Sequence, residues 1–175
     1  RDLRLIARRT WRYFETFVTA EENMLPPDNF QETPNPVIAH RTSPTNIGLY
    51  LLATAAAHDF GWAGMQRTLE RLETTFQTLK KLQRFRGHFL NWYGTRDLAP
   101  LAPAYVSSVD SGNLAGHLIA LANACEEWSA GLRPADPRQG MADALALLRE
   151  AVALVPVAEV VAQTELTAIL GSLDA

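Results

Sequence analysis

The sequence predicts an all-α fold, and three observations carry that expectation. Apolar residues recur at three- and four-residue intervals in successive stretches, the period of one helix face. Glycine and proline gather just beyond those stretches, where helices stop. Helix starts that carry polar clusters alternate with plainer helices, a layout that helical hairpins arranged around an axis produce.

The first stripe is Leu3, Ile6, Thr10, Tyr13, Phe14, Phe17 and Val18, an amphipathic helix to about Thr19, with Trp11 widening the apolar face. Arg1 falls partway into that helix, as expected of a piece of a longer chain. Met24 to Ala39 holds Pro26, Pro27, Pro34 and Pro36, a density that blocks helix and central strand alike. So long a loop is uncommon inside a domain and is often functional. The stretch from His40 to Leu52 organises the rest of the chain: its first half is polar and turn-forming, its second half apolar. Thr42 or Ser43 caps a second helix, Pro44 suits its first position, and the helix runs to about His58, with Gly61 as its stop.

A third helix is expected from Ala63 to Phe85, with Met65, Leu69, Leu72, Phe76, Leu79 and Leu82 on one stripe. The short connection makes it antiparallel to the second. From Gly87 to Val109 the period breaks, with a short strand expected at Val106–Val109. A fourth helix begins near Ser111, capped by Asp110 or Ser108, with Leu114, Leu118, Leu121, Cys125 and Trp128 as its stripe; Gly131 and Pro134 end it. Two further helices are expected, at about Pro137–Val155 and Val157–Leu170, with Met141, Leu145, Leu148 and Val152 on the first.

A chain of 175 residues suits one domain, and the whole of 1–175 reads as one unit. The formal net charge of −3 argues against a nucleic-acid partner, which usually meets a basic stripe. Arg1, Arg4, Arg8, Arg9 and Arg12 cluster on the first helix and read as its solvated face. No apolar run approaches the roughly 20 residues that span a bilayer, and no signal-peptide pattern is present. Cys125 is the sole cysteine, which excludes an intrachain disulfide and a cysteine metal cluster; it reads as a small core side chain.

Four stretches carry chemistry. In Asp28-Asn-Phe-Gln-Glu32, acid and amide groups beside a ring suit a sugar: Asn29 and Glu32 bond hydroxyls while Phe30 covers a C–H face. The same groups also describe a solvated acidic turn. Arg41, Thr42, Ser43 and Asn46 gather at a helix start, which is locally positive and rich in free donors. A well-capped core helix explains them equally. In Gly87-His-Phe-Leu-Asn-Trp-Tyr93, His88 and Asn91 are polar contacts and Trp92 and Tyr93 offer flat rings for stacking, or else pin the loop to the core. In Tyr105-Val-Ser-Ser-Val-Asp-Ser-Gly-Asn113, Asp110, Ser111 and Asn113 crowd a helix start and Gly112 keeps the backbone approachable, though Asp110 also serves as a plain cap. Glu32 and Asp110 are the acids to test for chemistry. His40, His58, His88 and His117 lack metal-ligand spacing, and His117 reads as a satisfied core histidine. No phosphate loop and no nucleophile elbow is present, and no metal or cofactor is implied.

These stretches, with Asp59-Phe-Gly-Trp62, resemble the bacterial cyclic β-1,2-glucan synthases over about Arg8 to Glu126. The resemblance implies the start of the middle, transglycosylating domain of a very large inner-membrane protein, on the cytoplasmic side. It implies an (α/α)6-type toroid of helical hairpins, related to β-1,2-glucanases, that closes a linear glucan into a ring. Arg41, Asn29, Asn91 and Asn113 then bond hydroxyls, and Trp92 and Tyr93 stack on sugar faces. The family's glutamates, in Phe-Glu-Tyr-Leu-Met-Pro-like and Ser-Glu-Ser-like segments, have no counterpart here, so this piece is expected to be inactive alone. Expected partners are β-1,2-glucan and the other domains of the same polypeptide, with exposed apolar edges favouring self-association. Two other readings stand: a helical scaffold that binds no sugar, and a self-sufficient hydrolase using Glu32 and Asp110 from one shared cleft wall.

Overall fold

A computed structural model describes residues 2–132, 135–154 and 171. Its elements, in order, are α1 (Asp2–Phe17), β1 (Phe30–Gln31), β2 (Val37–Ile38), β3 (Arg41–Thr42), α2 (Pro44–Asp59), α3 (Met65–Leu79), β4 (Arg84–Phe85), β5 (His88–Phe89), β6 (Tyr93–Gly94), α4 (Ser108–Ser129) and α5 (Pro137–Ala153). The strands are two-residue pairings inside loops, so the fold is all-α, as expected. The sixth expected helix, Val157–Leu170, lies outside the described residues.

α2 is the central helix because it is apolar all round and is enclosed on several faces. Ile47, Tyr50, Leu51 and Ala57 have no exposed surface. Ser43, of the two candidates, caps it: its Oγ accepts from Asn46 N at 3.2 Å. α4 lies beside α2 and runs parallel to it. Thr45 meets Asp110 at their starts, and Asp59 accepts from Trp128 Nε1 at 2.8 Å at their ends. The helices cross closely where Gly48 meets the His117 ring, which a Cβ at Gly48 would overlap. α1, α3 and α5 run the other way. Arg4, at the start of α1, donates to Phe60 O just past the end of α2 at 3.2 Å, and Thr78, late in α3, donates to Asn23 O below the start of α2 at 2.8 Å. Two parallel helices with antiparallel ones around them is the order of successive helical hairpins.

Both long loops therefore collect at the starts of α2 and α4. β3 pairs with β6, Arg41 opposite Gly94 and Thr42 opposite Tyr93, which joins the loops directly. Glu22 clamps the same crossing. It is buried, accepts from Thr95 Oγ1 and from Arg96 Nε at 2.9 Å, and lies 2.9 Å from His40 Nδ1. Burial pushes its carboxyl up, but those bonds outweigh burial and hold it below its ordinary value. Tyr93 is fully buried; its hydroxyl donates to Gln83 O at 2.7 Å and accepts from Leu90 N at 2.6 Å.

At the opposite end, Asp143 of α5 joins three elements. It accepts from Arg4 Nε and Nη2 of α1 and from Trp62 Nε1 in the α2–α3 turn at 2.9 Å. Gly140 lets α5 approach the backbone of Gly61, where any side chain would collide.

Several sequence expectations change. α1 turns a different face inward. Leu5, Trp11 and Val18 are buried while Leu3 and Ile6 stand exposed, and Arg4 and Arg8 are not a solvated face but pair with Asp143 and Glu15. Those pairs let cations occupy the inner side. α3 stops at Leu79 rather than Phe85, because the following residues fold back as the β4–β5 hairpin, whose turn puts Arg86 and Gly87 at positive φ. Met65 and Leu69 are exposed; Thr68, Thr75 and Thr78 are buried instead, and two of them hold the loop through bonds to Met24 O and Asn23 O. The expected strand at Val106–Val109 is absent: Ser107 caps α4, which starts at Ser108. Cys125 is exposed rather than core, because α4 buries only the face toward α2. His117 is packed but not satisfied, since its enclosed Nδ1 has no hydrogen-bond partner among the described residues. On α5, Met141 and Leu148 are exposed, and the helix docks through Gly140, Asp143 and Val152.

Two outcomes test this framework. Tyr93→Phe leaves Gln83 O and Leu90 N without their shared partner and is expected to lower stability by about 2 kcal/mol in urea unfolding. Asp143→Ala is expected to cost about 2 kcal/mol, below the usual figure for a fully buried pair because Arg4 keeps access to water. The Asp143 carboxyl is pushed up by burial, but its bonds from Arg4, Trp62 and Gln139 prevail and hold it below its ordinary value. Its contribution is complete above that ordinary value and is lost as pH falls through the lower folded one. Thermal melts of wild type and Asp143→Asn should therefore converge in acid.

Candidate functional site

The start of α2 builds the site. Pro26 and Pro27 are buried and rigid, so the next residue, Asp28, is held in place. Three donors converge on its carboxylate. Arg41, on β3, donates from Nε at 3.2 Å and from Nη2 at 3.0 Å to Oδ2. Asn46, in the first turn of α2, donates to Oδ1 at 3.2 Å, and the neighbouring Asn29 donates to Oδ2 at 3.1 Å. The Arg41 guanidinium lies over the half-buried Trp92 ring, 4.8 Å from its centroid. The charge of Asp28 also reaches Tyr13. Burial chiefly, and then that charge, push the Tyr13 hydroxyl up to about 12, and it donates to Pro27 O at 2.8 Å.

The start of α4 joins the same surface. Thr45 Oγ1 donates to Asp110 Oδ1 at 2.6 Å, and Asn113 Nδ2 donates back to Thr45 Oγ1 at 3.1 Å. The neighbouring residues Thr45 and Asn46 therefore link Asp110 and Asn113 to Asp28, Arg41 and Trp92. Beside this row is a cleft of about 130 Å³ in which His88 and Phe89 of β5 face Pro44 and Ser111.

Not every residue expected at the site reaches it. Tyr93 is an anchor rather than a stacking platform, because its ring has no exposed surface. Thr42 is likewise fully buried. Asn91 is buried and spends its side chain on the loop, Oδ1 accepting from Tyr105 N at 3.1 Å. Phe30 leans on Phe17, with centroids 4.8 Å apart, rather than standing free. Glu32 is exposed beyond β1 and makes no hydrogen bond or ion pair among the described residues, so no bond ties it to Asp110. Asn29, Arg41, Asn46, Trp92, Asp110, Ser111 and Asn113 remain exposed or half-buried around the α2 and α4 starts, and His88 stands at the adjoining cleft.

Asp28 and Thr45 belong to this site, although residue type alone offers no separate reason to choose them over their neighbours. The usable signal for Asp28 is a carboxylate placed directly after two consecutive prolines. For Thr45 it is a hydroxyl in the first turn of a capped helix, which faces whatever lies beside that end. Among the described residues no group of His, Cys, Asp and Glu is arranged to hold a metal ion.

No protein-family model matches the chain. Two solved structures share its fold. One is a glucoamylase-like protein of Bacteroides fragilis NCTC 9343, with TM-score 0.55, 24% identity, and coverage of 65% of this chain and 28% of that one. The other is a glucoamylase-like protein of Bacteroides caccae ATCC 43185, with TM-score 0.53 and 23% identity over 65% of this chain and 29% of that one. At those identities the likeness speaks for the helical fold alone. A curated relative is far closer in sequence: the cyclic β-(1,2)-glucan synthase NdvB of Rhizobium meliloti (strain 1021), 57% identical over 159 residues. Those residues make up 89% of this chain and 6% of that protein, so the chain spans only a small part of the relative it matches. Over most of its length the chain is thus related to one segment of the bacterial cyclic β-(1,2)-glucan synthases.

Proposed function

We propose that the chain forms one wall of a glucan-binding cleft, at the start of a transglycosylating domain that cyclises linear β-1,2-glucan. The observation that carries this reading is the convergence of Asp28, Arg41, Trp92, Asp110 and Asn113 around the starts of two parallel helices. Neutral hydroxyl-rich ligands need mixed donors and acceptors next to a ring face, and this surface supplies all three. The glycosidic chemistry needs two carboxylates set about 5 to 9.5 Å apart across the scissile bond. That pair falls to parts of the polypeptide outside this chain, and the piece alone is inactive. In this reading further helical hairpins complete an (α/α)6 ring, and the domain belongs to the cytoplasmic side of a bacterial inner-membrane protein.

A scaffold role is the second reading, and the open face of α4 favours it. Val109 and Ile119 are 70% and 65% exposed. Large apolar side chains left this open suit burial against neighbouring helices of the same polypeptide, or against a second copy.

Calorimetric titration with linear β-1,2-glucan separates the two. The cleft reading expects a dissociation constant of roughly 1 mM. Arg41→Ala is expected to weaken it roughly tenfold, the loss of a charge-assisted hydrogen bond worth about 1.5 kcal/mol. An absence of binding at high millimolar glucan leaves the scaffold role. Release of shorter glucans by this chain, abolished in Glu32→Gln, would instead establish the self-sufficient hydrolase.

A further inference from the structure

We infer that Trp92, Arg41 and Asp28 form a subsite for a single neutral pyranose unit, in which Asp28 is both the hydroxyl acceptor and the residue that positions Arg41. This rests on the glucan-cleft reading and names what that cleft grips at one point. Arg41 spends Nε and Nη2 on Asp28, while its Nη1 makes no hydrogen bond among the described residues. Asp28 Oδ1 takes one donor, Asn46 Nδ2, which leaves acceptor capacity on that oxygen. The paired side chains therefore keep free N–H groups on the guanidinium and a free lone pair on the carboxylate. Such a pair suits two adjacent hydroxyls, one accepting and one donating.

The charge balance selects the ligand class. Arg41 stands close to Asp28, and Asp110 lies at the neighbouring helix start, linked to it through the adjacent residues Asn46 and Thr45. A phosphate or carboxylate ligand would face those acids, whereas a neutral polyol meets no such opposition. The Trp92 ring beneath Arg41 sets the plane of the guanidinium and adds apolar surface for a sugar's C–H groups. Arg41 is itself half exposed, so its orientation depends on the two contacts that hold it, Asp28 and Trp92. Without the carboxylate the side chain is free to leave the ring.

The test compares wild type with Asp28→Asn and Asp28→Glu, reading tryptophan emission without sugar and titration with linear β-1,2-glucan. Asp28→Asn is expected to alter the emission of Trp92 in the absence of ligand and to weaken glucan binding by at least about tenfold. The emission change should vanish in a Trp92→Phe background, which assigns it to that ring. Asp28→Glu keeps the charge and should restore part of the affinity, which a merely structural role for the side chain would not produce. Glucose 6-phosphate should bind no more tightly than glucose. Unchanged emission together with wild-type affinity in Asp28→Asn would overturn the subsite while leaving the cleft intact. Tighter binding of the phosphorylated sugar would overturn the neutral class. Absence of glucan binding by the wild type would overturn both subsite and cleft.

Discussion

The parallel pairing of α2 with α4 is the constraint on which everything else depends. Parallel neighbours put both helix starts at one end of the molecule, and only then do two loops far apart in sequence share a surface. The pairing is fixed at three levels: Thr45 with Asp110 at the start, Gly48 against His117 along the crossing, and Asp59 with Trp128 at the end. The middle contact is steric and requires a residue without Cβ. The outer two are hydrogen bonds between side chains and set the register. Had the helices been antiparallel, Asp110 would sit beside Asp59 and the polar cluster would be split between opposite ends.

The helices themselves were legible because their period is a direct consequence of burying one face. α2 and α4 appear in the sequence within a few residues of their true bounds, with Ser43 among the expected caps and Pro44 at the first position. Less legible was which face turned inward. In α1 Arg4 and Arg8 lie half-buried beside the inward face, where hydrophobicity alone assigns such residues to water; their partners, Asp143 and Glu15, neutralise them. In α3 half of the buried ridge is threonine, and Thr75 and Thr78 bond loop carbonyls that no local pattern reveals. Cys125 lies on a face of α4 that nothing covers among the described residues, and its place at helical spacing among apolar residues did not reveal that it faces outward.

The site shows the same division. Residue types pointed to the loops that the structure brings together at the starts of α2 and α4, since amides, acids and rings cluster in them. They did not tell which member of each cluster faces outward. Trp92 and Tyr93 are adjacent, yet the β3–β6 pairing turns Tyr93 into the core while Trp92 stays half-buried beside Arg41. Asp28 became central only because Arg41, Asn29 and Asn46 meet it in space.

Glu22 gives the loops their own breaking point. Two chain segments, at His40 and at Thr95–Arg96, hang on one carboxylate that must stay ionised, at the crossing of the two loops and away from the helix contacts. Protonating it releases Arg96 and His40 without disturbing Asp59, Trp128 or the apolar interior. The molecule is thus divided into a helical frame and a loop rim with its own clamp. Only acid below the ordinary carboxylate range reaches that held-down carboxyl, so the clamp stays closed through mild acidity and loosens beneath it.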